Sequence, residues 1–119
     1  VAEDHVTGGD VLLVDAGPGR VLVVLTGFIE LADVPDLKAA LLEATRGDGR
    51  ELVLDLGAAR WISSPGLGVL VGTHRRIVAR GGLMVLWRPQ RVLAANLSML
   101  GLDRVVPVVH GDEVPFTSA

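Results

Sequence analysis

The stretch from Glu51 to Val71, ELVLDLGAARWISSPGLGVLV, changes its hydrophobic period part-way along, and that change constrains the fold more than any other feature of the chain. Glu51 to Leu56 alternates only weakly and is rich in Leu and Val, the pattern of a strand covered on both faces. From about Pro65 to Arg80 the period becomes helical, with Leu67, Leu70, Val71, His74, Ile77 and Val78 on one apolar stripe, and Gly81-Gly82 ends it. Another apolar run, Leu83 to Trp87, follows at once. Strand, helix and strand in that order need a crossover connection, which is right-handed and leaves the two strands parallel.

The rest of the chain extends the same alternation. Val11 to Val14 and Val21 to Thr26 read as strands joined by a tight turn at Gly17-Pro18-Gly19. Asp33 is placed to cap a helix with Pro35 in its first turn, Val34, Leu37, Leu41 and Leu42 on one face, and Gly47 as its stop. Gln90 to Leu100 reads as a third helix ended by Gly101-Leu102, and Val105 to Val109 as a last strand. The expected architecture is a single α/β domain with a mixed sheet of about five strands and helices mainly on one face. Its core spans about residues 10–110, and 111–119 form a loose tail.

Half of the 119 residues are apolar but only 3% are aromatic, so the core is built from Val, Leu, Ile and Ala. A net charge of −3 argues against a nucleic-acid footprint, and Arg75, Arg76 and Arg80 form the only local basic cluster. Without cysteine the chain has no disulfide framework, thiol nucleophile or thiolate metal site, which suits a reducing compartment. The longest apolar run, Val21 to Leu25, is far short of the roughly 18 residues that span a bilayer, and no signal-peptide pattern opens the chain. The chain therefore reads as soluble and cytoplasmic, without a membrane partner, and its first residue, Val1, leaves room for a trimmed N-terminus.

Candidate chemistry centres on Ser63-Ser64-Pro65-Gly66. With Pro65 as the first helical residue, the Ser64 hydroxyl is placed as the helix N-cap, a role that needs no function. Gly68 and Gly72 lie one turn apart, off the apolar stripe, at about 1 kcal/mol each relative to Ala. Together with Arg75 and Ala79 they form a ridge of short side chains that either docks a partner or packs against a loop of the same domain. The glycines from Gly66 to Gly72 do not match a dinucleotide fingerprint, because they sit inside the helical pattern and no acidic residue follows on a strand end. His74, within the stripe, reads as a packed structural histidine, while His5 and His110 have no metal-ligand spacing. Asp55 raises a Ser-His-Asp arrangement, but there is no nucleophile elbow to support it. Nothing in the sequence calls for a cofactor, a metal or an enzymatic role, and Arg75 and Arg76 read most simply as a solvated helix face.

From Leu52 to Leu70, then through Gly81-Gly82, a strand, a helix and Gly101-Leu102-Asp103, the chain resembles the STAS domain in its form as a bacterial anti-sigma factor antagonist of the SpoIIAA type. The resemblance covers most of the chain and includes Gly27-Phe28-Ile29-Glu30, where that family usually has Gly-Glu-Leu-Asp. It implies a STAS fold and a protein that captures an anti-sigma factor which is also a serine kinase, any ATP belonging to that partner. It also implies Ser64 as the phosphoacceptor, in a junction that usually reads Asp-Ser-Ser-Gly-Leu and here reads Ser63-Ser64-Pro65-Gly66-Leu67. Ser63 stands in place of the usual aspartate and Pro65 in place of the second serine. The partner-binding set that follows is Glu30, Ser63, Ser64, Pro65, Gly66, Gly68, Gly72 and Arg75. The alternative is a STAS scaffold or small-ligand-sensing interaction domain that is never phosphorylated.

Overall fold

The computed structural model describes residues 9–117. In chain order the elements are β1 (Asp10–Asp15), β2 (Arg20–Ile29), α1 (Val34–Ala44), β3 (Glu51–Ile62), α2 (Ser64–Ala79), β4 (Leu83–Trp87), α3 (Arg91–Met99) and β5 (Val108–Val109). They form one five-stranded mixed sheet whose spatial order, β1-β2-β3-β4-β5, is also the chain order. Only the β1–β2 hairpin is antiparallel. Its turn places Gly17 and Gly19 at positive φ, and the Asp15 carboxylate accepts a hydrogen bond from the Gly17 N–H at 2.9 Å. The expected α/β architecture is the observed one.

One core joins all three helices to one side of the sheet. Val21, Val23, Leu25 and Ile29 of β2, and Leu52, Leu54 and Leu56 of β3, alternate along their strands. They meet Leu37 and Leu41 of α1, Leu67, Leu70 and Ile77 of α2, and Leu93 and Leu97 of α3. Burying a Leu or Ile side chain contributes about 1.5–3 kcal/mol, so these residues carry most of the stability. No helix of the described residues is long and apolar enough to cross a membrane.

Several boundaries differ from those the periodicity gives. β3 runs on to Ile62, because Ala59 and Ile62 keep facing the core while two register shifts against β2 absorb extra residues. Small side chains at Gly57, Ala58 and Ala59 hide that continuation from a pattern reading. β5 is reduced to Val108–Val109, since a 3-10 turn occupies Leu102–Arg104 and Pro107 has no N–H to give the ladder. In α2 the buried face is Gly66, Leu67, Leu70, Thr73 and Ile77, so the stripe is rotated: His74 is half-buried and Val78 exposed. Leu42 of α1 likewise faces outward.

The end of the chain is tied to the sheet where the sequence reads as loose. Trp87 donates its indole N–H to the Gly111 carbonyl at 3.0 Å, and the Arg20 guanidinium lies over the Phe116 ring. Thr117 donates its backbone N–H and its hydroxyl to the Glu51 carboxylate. His5 and residues 118–119 lie outside the described residues.

Candidate functional site at the carboxyl ends of β2 and β3

Parallel pairing places Ile29 beside Ile62, so the loops leaving β2 and β3 emerge side by side. The Ser63 N–H donates to the Ile29 carbonyl at 2.8 Å and fastens one loop to the other. Glu30, which is exposed, opens a 3-10 turn over Leu31–Asp33, and its N–H donates to the Asp33 carboxylate at 2.8 Å. Asp33 therefore precedes α1 as expected, but its carboxylate holds Glu30 and caps nothing in α1. The effect is to fix Glu30 next to the start of α2.

The N-cap of α2 is Ser63, not Ser64. Ser63 has extended backbone angles, φ −63° and ψ 158°, its hydroxyl accepts from the Gly66 N–H at 3.4 Å, and its carbonyl accepts from the Leu67 N–H at 2.9 Å. Ser64 is then the first helical residue and Pro65 the second, where its missing N–H leaves no bond unmade. The cap moves back one residue because Pro65 tolerates either early position and Ser63 alone is fastened by β-type pairing. This frees Ser64: it is exposed, and its hydroxyl makes no hydrogen bond among the described residues. Gly66 has a packing role, since a Cβ there would come within 2.9 Å of Ile62 Cγ2.

Gly68 and Gly72 are exposed, and no atom lies within 4 Å of where a Cβ would stand at either position. No loop of the described residues packs on them. They border a shallow groove between α1 and α2, shared with Lys38, Pro65, Thr73 and Arg76. Arg75 is exposed but does not line the groove; the groove's cations are Lys38 and Arg76, the latter also donating to the Thr45 hydroxyl at 3.4 Å. Sequence periodicity missed Lys38 because it sits on a different helix, and only the packing of α1 beside α2 brings it there.

A second cluster engages Asp55 away from any Ser-His-Asp arrangement. Arg88, at φ 48°, bonds both oxygens of the buried Asp55 carboxylate at 2.9 Å and stacks on the Trp87 ring at 4.0 Å. Burial pushes the Asp55 carboxyl up, yet the Arg88 guanidinium and the Gly57 N–H together hold it below its ordinary value; Asp55 in turn raises Arg88. Asp55 is thus engaged by Arg88 and not by His74, whose imidazole burial keeps more readily neutral. Among the described residues no group of His, Asp and Glu is arranged to hold a metal ion.

Phe28 and Trp61 are paired across β2 and β3 one step before the final Ile29–Ile62 pair, and both are exposed, as is Leu31. Arg60 lies over the Phe28 ring at 5.7 Å. Two of the chain's four aromatic residues therefore stand in solvent beside Glu30 and Ser63. Nothing in the sequence singles them out, because a register shift between Ala59 and Trp61 turns Arg60 and Trp61 outward together.

A family model described as Mlab, STAS domain, matches residues 12–109. The chain belongs to the STAS-domain family. Its fold is similar to that of an anti-sigma factor antagonist from Mycobacterium paratuberculosis, with TM-score 0.70 and 24% identity over 92% of this chain and 88% of that one. It is similar also to the anti-sigma factor antagonist SpoIIAA in its unphosphorylated form, with TM-score 0.68 and 17% identity over 87% and 90% of the two chains. Bacillus SpoIIAA in its phosphorylated form gives TM-score 0.68 and 18% identity over 87% and 93%. Serine and aspartate are equally good N-caps, so Ser63 fills the cap and sets no carboxylate beside Ser64.

Proposed function

We propose that this STAS domain is an anti-sigma factor antagonist: it binds an anti-sigma factor that is also a serine kinase, and phosphorylation of Ser64 releases that partner. The observation that carries the reading is the exposed Ser64 hydroxyl at the first position of α2, with the capping duty taken by Ser63. A residue that holds no structural bond is available to a kinase without cost to the fold. Phosphate there brings a charge of about −1.5 to −2. The positive end of α2 favours it by about 0.3–1 kcal/mol, so the domain stays folded while its surface changes sign.

The docking surface in this reading is Glu30, Ser63, Ser64, Pro65 and Gly66 at the loops, continued by the bare backbone of Gly68 and Gly72 and by Arg75. The exposed Phe28, Leu31 and Trp61 beside the loops add the apolar area that a protein interface needs at its centre. The domain acts by binding and not by catalysis, in the bacterial cytoplasm, and regulates transcription through the sigma factor its partner releases. Support comes from the STAS family match and from the anti-sigma factor antagonists that share the fold.

The test is capture from the source cell by wild type and Ser64→Glu side by side, with mass spectrometry of the captured proteins and of the Ser63-Ser64 peptide. Capture of an ATP-binding anti-sigma factor by wild type alone, with phosphate on Ser64 in the recovered peptide, is the expected outcome. Equal partners for both forms and an unmodified peptide would replace the switch with a constitutive scaffold.

A further inference from the structure

His74 and Val78 belong to the core by period, yet the rotation of α2 turns them toward a different space. They form one side of a cavity of about 230 Å³ at the edge of β4, where β5 pairs only with Leu86 and Trp87 and leaves the strand uncovered from Leu83 to Val85. Leu83, Met84 and Val85 of β4 line it too, with Pro107 and Pro115. The lining is mainly apolar, and among the described residues it contains no Lys or Arg. Two of its polar groups already have work: Glu51 accepts twice from Thr117. The His74 side chain makes no hydrogen bond among the described residues and brings one donor and one acceptor to the wall.

The space opens to solvent past Val78 and Leu83, which are half exposed, so an apolar occupant gains by removing their surface from water. A cavity of about 150 Å³ lined by apolar side chains is enough to bind benzene. The larger space here has room for a fused bicyclic ring, with His74 to meet one polar atom. An anionic ligand finds no Lys or Arg among the described lining residues.

We propose that the cavity between α2, the β4 edge and the C-terminal tail is a binding site for a small, neutral, mainly apolar molecule with one hydrogen-bonding group. The site is separate from the Ser64 surface, since His74 is ten helical steps, or about 15 Å, along α2 from Ser64. It does not depend on the anti-sigma reading.

The chain's two methionines provide the assay. Met84 lines the cavity, whereas Met99 is 83% exposed on α3. With methyl-labelled methionine in the full chain, titration with indole should move the Met84 line saturably and leave Met99 in place. Val78→Trp fills the cavity from a helix position that is half exposed, so it folds, and it should weaken indole binding at least tenfold while Met84 stays dispersed. Val92→Trp, on the outer side of α3, should bind as wild type. Indole-3-carboxylate should bind at least tenfold more weakly than indole. A Met84 line that does not move, that moves equally in Val78→Trp, or that moves together with Met99 would overturn the site. Equal affinity for indole and its carboxylate would overturn the preference for a neutral ligand.

Discussion

Replacing Ser63 and Ser64 separately by alanine tests the assignment on which the proposed switch rests. Ser63→Ala removes the oxygen that accepts from the Gly66 N–H, leaving the Ser63 carbonyl to hold the Leu67 N–H as before. Losing a serine cap costs about 0.5–2 kcal/mol. The 3.4 Å separation is long for a hydrogen bond, which places this cap in the lower half of that span, about 0.5–1 kcal/mol. With a urea slope of about 1.5 kcal/mol per molar, the unfolding midpoint falls by about 0.3–0.7 M. Ser64→Ala deletes an exposed hydroxyl that holds nothing among the described residues, so its stability stays within about 0.5 kcal/mol of wild type. Ser64→Asp sets a carboxylate in the first turn of a helix and gains about 0.3–1 kcal/mol at low salt. Urea titrations followed by circular dichroism at one pH and ionic strength give the order. If Ser64→Ala loses as much as Ser63→Ala, Ser64 is the cap after all, and its loss of partner binding could no longer be separated from loss of helix.

Four further outcomes follow from packing and charge. Gly82→Ala puts a Cβ within 2.3 Å of the Arg50 carbonyl oxygen, a backbone atom that cannot step aside, and should cost at least about 2 kcal/mol in thermal or urea unfolding. Gly68→Ala and Gly72→Ala meet nothing and should each raise stability by about 0.5–1 kcal/mol. A large side chain at Gly72 should leave folding intact but reduce partner capture. For Asp55 the folded carboxyl lies below its unfolded value of about 3.9, so its contribution is complete above that pH and disappears as pH falls through the lower folded value. Asp55→Asn should flatten the acid limb of stability measured from pH 7 down to pH 2, and an unchanged limb would show that Arg88 does not hold the carboxylate.

The architecture was legible because hydrophobic period changes wherever strand gives way to helix, and those changes mark all five strands and three helices. What escaped the pattern shares a physical cause. β3 continues through Gly57, Ala58 and Ala59, whose side chains are too small to announce a face, and its register shifts break the strict alternation that would have revealed it. The face of α2 was misjudged because Thr73, buried with its hydroxyl bonded to the Val69 carbonyl at 2.7 Å, looks polar, while Val78 looks apolar and is half exposed. At the site, sequence brought Glu30 and the serines together, but which serine caps the helix is decided by the bond between Ser63 and Ile29, a contact between segments far apart in the chain. The Lys38 and Arg76 groove and the Phe28–Trp61 pair arise only from packing, so no local signal marks them.

Because spatial order in the sheet equals chain order, each strand finds its neighbour next in sequence, and the domain can assemble by successive local closures from the β1–β2 hairpin onward. Short closures are the kinetically inexpensive ones. The tail contacts are exceptions: Thr117 to Glu51 spans 66 residues and requires β3 to be in place, and Arg20 to Phe116 spans more still. Docking of the segment through Thr117 therefore follows formation of β3, and the space between α2 and the β4 edge acquires that wall last. A chain cut before Pro115 would fold its sheet and still lack that wall.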